Sequence, residues 1–207
     1  NVDAAGIRPG SKEGRRILFV GRNFVRKGGP LVVQAFTILR KKYLWSAELY
    51  LAGAKESDIR DALRERQIRV EEVDWQKIHL LGDLGSEKLT DYYNLCDVFC
   101  MPSYFEAYGL VFAEALTYGL PCIGRDKFAM SEFIEDGCTG RLISGEDAEE
   151  LALDLWEVLQ DPKYREEVER RREWYLREYS WDKVAQRICS VMEKNERDKD
   201  QYRSAGV

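Results

Sequence analysis

The chain is almost without histidine. His79 is the only one in 207 residues, so imidazole-relayed chemistry would rest on a single side chain. No serine stands in a nucleophile-elbow pattern either. His79 sits in the apolar run KIHLLGD and reads as a structural residue of a strand. Cysteine spacing of the CxxC kind is absent. The five cysteines are odd in number, and Cys96, Cys100 and Cys122 lie in or beside apolar segments. They read as buried thiols in a reducing compartment. A metal site on Cys96 and Cys100 lacks obvious further ligands. No apolar run is long enough to span a bilayer, and no signal-peptide pattern is found. Basic charge is not in excess: 32 Lys and Arg stand against 37 Asp and Glu, for a net charge of −5. That balance argues against non-specific nucleic-acid binding, though not against local basic pockets. Internal repeats and low-complexity tracts are absent.

Apolar residues are plentiful, at 44% of the chain, enough for the core of one domain. They fall into short continuous runs separated by stretches with helical spacing. The runs Arg16–Gly21, Glu48–Gly53, Ile78–Gly82, Val98–Met101, Pro121–Gly124 and Thr139–Ile143 read as strands. Between them, helices are predicted over Leu31–Lys42, Glu56–Ile68, Glu87–Asn94, Gly109–Tyr118 and Phe128–Glu135. Ser86 is a candidate cap for the third of these. Helices over Asp147–Gln160, from Pro162 onward and from Trp181 to about Lys194 follow, with Ser180 capping the last. The REEVERRRE stretch reads as a charged, exposed helix face. Strand–helix alternation predicts an α/β, Rossmann-like, doubly wound parallel sheet of about six strands. Residues 1–14 read as an interdomain linker, 15–194 as the domain, and 195–207 as a polar tail.

The stretch from Asp97 to Pro121 (DVFCMPSYFEAYGLVFAEALTYGLP) organises the rest. A strand ends at Pro102, a loop carries Glu106, and an apolar helix starts at Gly109. Glu114 lies in that helix's second turn among Leu110, Val111, Phe112, Ala113, Ala115 and Leu116. A helix so apolar should be buried, and a carboxylate on it needs a polar partner. The helix N-terminus, with unpaired N–H groups from Gly109 to Phe112, suits an anion. A ligand with a phosphate and hydroxyl groups would satisfy both features. Taken alone, Glu114 turned to solvent and Glu106 as a plain loop residue fit equally well. The loop after the first strand, RNFVRKGGP, carries Arg22 and Lys27 at a strand's carboxyl end. Two cations around a Gly-rich turn suit a diphosphate, and solvated surface charges are the alternative. The loop matches neither the Walker nor the dinucleotide glycine pattern.

These residues, in order, resemble the C-terminal, donor-binding domain of glycosyltransferase family 4, which has the GT-B fold. The match includes Asn1-Val2-Asp3, Gly21-Arg22, Lys27-Gly28, Gly53, Gly82, Pro102-Ser103, Glu106, Gly109, Glu114-Ala115 and Gly119-Leu120-Pro121. It continues through Glu132, Asp136-Gly137, Gly140 and Tyr179-Ser180-Trp181. The resemblance implies a retaining transferase using a UDP- or GDP-sugar, GDP-mannose among the candidates, without a metal or other cofactor. It implies that Arg22 and Lys27 neutralise the diphosphate and that Glu114 holds the ribose hydroxyls. Glu106 would lie near the donor sugar, and Tyr108, Gly109 and Leu110 would frame the phosphates. The acceptor would bind to a separate N-terminal domain of the same chain, and this piece alone would transfer poorly. A cytoplasmic location, with peripheral membrane contact through the longer enzyme, is the expectation. A regulatory nucleotide-sugar-binding module of the same fold, or a nucleotide-sugar epimerase, are the alternatives. The stretch Arg125–Ser131 departs from the family pattern by lacking a glycine pair before Glu132.

Overall fold

Continuous apolar strands require cover on both faces, and six such strands form the sheet. A computed structural model describes residues 6–8, 13–180, 182–183 and 185–192. The strands are β1 (Arg16–Val20), β2 (Glu48–Ala52), β3 (Ile78–Gly82), β4 (Val98–Cys100), β5 (Cys122–Arg125) and β6 (Gly140–Ile143). All pairings are parallel, in the order β3-β2-β1-β4-β5-β6. Between them run α1 (Gly29–Lys42), α2 (Glu56–Glu65), α3 (Ser86–Leu95), α4 (Leu110–Thr117) and α5 (Met130–Phe133). After β6 come α6 (Ala148–Gln160), α7 (Pro162–Arg170) and α8 (Arg172–Glu178). Helix α1 packs on α2 and α6, whereas α4 packs on α5, α7 and α8. Ile17, Leu18, Phe19, Leu49, Leu51, Val98, Phe99 and Cys100 are fully buried, with no alternation along the strands. The predicted doubly wound α/β architecture is thus what the chain adopts. Its switch point lies between β1 and β4, where strand order reverses and ligands bind at the carboxyl ends.

Asp97 pins the opposite end of that switch point. It is buried, and its Oδ2 accepts from the backbone N–H groups of Arg15 and Arg16 at 2.9 and 2.8 Å. The carboxylate thereby ties β1 to β4 at their amino ends.

Several helix boundaries differ from the sequence reading. Helix α1 starts at Gly29, two residues early, because Gly28 takes a left-handed N-cap conformation and Pro30 suits the first turn. Helix α2 stops at Glu65, short of Ile68, where Gln67 adopts φ 57°. Gly85, not Ser86, stands at the N-cap of α3. Helix α5 is a single turn because Phe128 also adopts φ 57°. The charged helix from Pro162 breaks at Arg171 into α7 and α8. Ser180 Oγ does accept from the Lys183 N–H at 3.2 Å, as a cap should. Of the segment read as linker, residues 6–8 lie beside α3: Asn94 accepts from Arg8 N–H at 2.8 Å and donates to Gly6 O at 2.8 Å. Asn1-Val2-Asp3, Trp181 and the tail from Asn195 lie outside the described residues. Among the described residues, no helix is long and apolar enough to cross a membrane.

Two predictions follow from this architecture. Gly28 has φ 81°, and a Cβ there would sit 2.3 Å from the Pro102 carbonyl oxygen. Gly28→Ala should therefore cost about 2 kcal/mol or more in urea unfolding. At the α7–α8 break, hydrogen bonds from Arg170, then from Arg171, push the Glu167 carboxyl down to about 2. The unfolded carboxyl titrates near 4.5. The stabilisation is complete above that value and is lost as pH falls through the folded one. Thermal melts of Glu167→Gln should accordingly fall less steeply than wild type between about pH 4.5 and 2.

Candidate functional site

The site is built by two loops at the switch point. After β1, the chain folds into a tight turn. Asn23 Oδ1 accepts from Arg26 N–H at 3.1 Å, and the N–H groups of Lys27, Gly28 and Gly29 bond back to Asn23, Val25 and Phe24. The buried Phe24 ring anchors this turn edge-on against Phe19, 5.7 Å away. After β4, Pro102 and Ser103 are buried. Ser103 Oγ lies 2.9 Å from Phe105 O and 3.3 Å from Arg26 O. Tyr104 N–H donates to Arg26 O at 2.9 Å, and Arg26 Nη1 donates to Phe105 O at 2.6 Å. The two loops are therefore strapped together backbone to backbone.

That strapping brings Lys27 onto Glu106. Lys27 Nζ forms an ion pair with Glu106 Oε2, and the two side chains are only 14% and 12% exposed. Glu106 in turn lies against Gly109, where an added Cβ would come within 3.2 Å of its Cγ. Lys27, Glu106 and Gly109 thus form one cluster.

Arg22 does not join it. Its side chain is 83% exposed and reaches across β2 to the end of β3, with Nε 3.2 Å from Asp83 Oδ1. It lines a hollow of about 80 Å³ with Gly21, Gly53, Asp83 and Leu84. The predicted pair of cations is therefore split: Lys27 faces the β4 loop, while Arg22 faces the β3 loop. Its exposure leaves it unrestrained by packing.

Helix α4 departs from expectation at its first turn. Gly109 is the N-cap, with φ 76° and no side-chain cap. Phe112 N–H already donates to Gly109 O at 2.9 Å, so it is not one of the open donors. Leu110 is 51% exposed and Val111 half-buried, so the helix is not apolar on buried faces all round. Tyr108 beside it is also exposed, with its ring edge-on to Phe133 at 6.3 Å. Glu114 is half-buried and has the polar partner its position demands. The partner is Tyr93 of α3, whose hydroxyl donates to Oε2 at 3.0 Å. Neither Tyr93 nor Asp83 carried a functional signal in the sequence. A tyrosine inside a helix is unremarkable until the fold places it under another helix.

The stretch Arg125–Ser131 has an ordered basis without its glycines. Arg125 is buried, with Nη1 donating to Gly145 O at 2.8 Å and its guanidinium 4.7 Å over the Tyr104 ring. Phe128 takes the left-handed conformation that a glycine would adopt freely. Its exposed ring meets that of Phe105 edge-on at 5.1 Å. His79 lies elsewhere on β3, stacked on Tyr50 at 4.3 Å with Nε2 3.2 Å from Glu48 Oε2. Cys96, Cys100 and Cys122 are buried. Among the described residues, no group of three or more His, Cys, Asp or Glu side chains could hold a metal ion.

The family model for "Glycosyl transferases group 1" matches residues 8–174. An uncharacterized glycosyltransferase of Methanocaldococcus jannaschii is 28% identical over 180 residues, covering 86% of this chain and 44% of that protein. A phosphatidyl-myo-inositol mannosyltransferase of Mycolicibacterium smegmatis is 28% identical over 184 residues, covering 88% and 46%. The chain thus spans less than half the length of these relatives. The pneumococcal O-GlcNAc transferase solved with UDP and GlcNAc shares the fold, with TM-score 0.70 and 23% identity over 87% of this chain and 36% of that one. With a family match over most of its length, the chain belongs to the glycosyl transferases of group 1.

Proposed function

We propose that the chain is the donor-binding domain of a retaining glycosyltransferase that takes a UDP- or GDP-linked sugar. The observation that carries this reading is the Lys27–Glu106–Gly109 cluster at the sheet's switch point, where a cation, a carboxylate and an open helix end meet. A pyrophosphate would lie across the helix N-terminus, with Lys27 on one side and Arg22 swung in from Asp83 on the other. Departure of the nucleotide leaves negative charge on that pyrophosphate, and both cations and the helix end would stabilise it as it develops. Glu106 would face the sugar carbon as positive charge builds there. Glu114 would accept from the ribose hydroxyls. Tyr108 and Leu110, exposed at the helix start, would border the phosphates. The acceptor would bind to a separate N-terminal domain, so this piece alone would transfer sugar poorly. Cationic groups would take the part a metal plays elsewhere.

Lys27 is paired with Glu106, so a diphosphate would compete with a carboxylate for the ammonium. Calorimetric titration with UDP and GDP tests the assignment: absence of binding by the folded chain to both would defeat it. Arg22→Ala and Lys27→Ala should each weaken nucleotide-diphosphate binding by about 1.5–3 kcal/mol, as loss of a charged hydrogen bond does. Glu106→Gln should act in the opposite sense on the nucleotide alone, tightening it by freeing Lys27. Loss of affinity in that variant would show that the carboxylate is not the competitor.

A further inference from the structure

Tyr93 is a buried polar residue that the scheme above leaves unused. It is 2% exposed, yet its hydroxyl donates to Glu114 Oε2 at 3.0 Å. Two aromatic neighbours hold its ring. Tyr118 stacks on it face to face, at 5.3 Å and 7°, and Phe99 packs at 6.3 Å and 51°. Tyr118 is itself buried, and its hydroxyl is 3.3 Å from Thr90 Oγ1 on α3. The phenol therefore has no room to swing away from the carboxylate. Burial, reinforced by the Glu114 charge, holds it well above the ordinary tyrosine range, so it stays a donor at any working pH.

A glutamate has three rotatable bonds, and an unrestrained one must be ordered when a ligand arrives. Two adjacent hydroxyls ask more of it than one, since both carboxylate oxygens must lie in the right plane. Each carboxylate oxygen accepts about two hydrogen bonds, so Tyr93 leaves capacity on Oε2 and all of Oε1. A donor packed into the core can set that plane in advance.

We propose that Tyr93 is the positioning residue for Glu114, orienting its carboxylate for a vicinal ribose diol, so that preference for ribonucleotides depends on a residue the ligand never touches. This rests on the donor-site reading and deepens it.

The test compares three ligands on the 207-residue chain: UDP or GDP, whichever binds, its 2′-deoxy counterpart, and inorganic pyrophosphate. Wild type should prefer the ribonucleotide over the deoxynucleotide by roughly tenfold, the loss expected for one hydrogen bond to a charged group. Tyr93→Phe should reduce that ratio to near one while leaving pyrophosphate affinity within about twofold. A purely structural role would weaken all three ligands together, and that result, or an undiminished ratio, overturns the proposal. Wild type with no ribose preference overturns the role of Glu114, and binding of none of the ligands overturns the donor site itself. Should Tyr93→Phe melt before it can be titrated, tyrosine-Cζ-labelled wild type serves instead. The Tyr93 resonance should shift with the ribonucleotide and not with pyrophosphate, and an unmoved resonance refutes the idea.

Discussion

Everything at the site depends on how closely the loop after β1 approaches the loop after β4. Gly28 lies so near the Pro102 carbonyl that a side chain there has no room. Ser103 and Tyr104 then bond to the Arg26 carbonyl, and Arg26 reaches back to Phe105. Parallel strands on either side of a switch point leave a crevice between them. Here backbone contacts narrow that crevice, and the narrowing sets which side chains can meet across it. Lys27 and Glu106 are 79 residues apart in the chain, yet they share one ion pair because the turns behind them are locked.

The ion pair has an electrostatic logic of its own. Both partners are largely withdrawn from solvent. Removing a charge from water is costly unless it is paired, so each residue keeps the other tolerable. A diphosphate bound as proposed would replace one anion with another next to Lys27, so the cation's pairing would be conserved. Under the proposed reading, Glu106 is the group that would change, its carboxylate released as the phosphates bind. Arg22 behaves differently. Its pairing with Asp83 is open to solvent and weak, so its recruitment by the proposed diphosphate would cost little.

Much of this was legible in the sequence, and the parts that were not share a cause. Continuous apolar runs marked the six strands, because a covered parallel sheet leaves no polar face to interrupt them. The nearness of Lys27 and Glu106 followed from topology: each sits just past a strand's carboxyl end, and a doubly wound sheet brings such ends together. The paired-glutamate spacing and the glycines around it gave the family. Helix ends were misjudged wherever a non-glycine residue took a left-handed conformation, as at Gln67 and Phe128. Propensity offers no warning of that. The partners of Glu114 and Arg22 were likewise hidden. Tyr93 and Asp83 become relevant only once α3 lies beneath α4 and β3 lies two strands from β1.

Phe128 shows where the site is least settled. A left-handed backbone at a bulky residue stores strain on the order of 1–3 kcal/mol. That narrows the gap between the present shape of this rim and its alternatives, while the strapped loops behind it have no such incentive to move. Remodelling on binding of the proposed donor should therefore concentrate in the rim, at the Phe105–Phe128 ring pair.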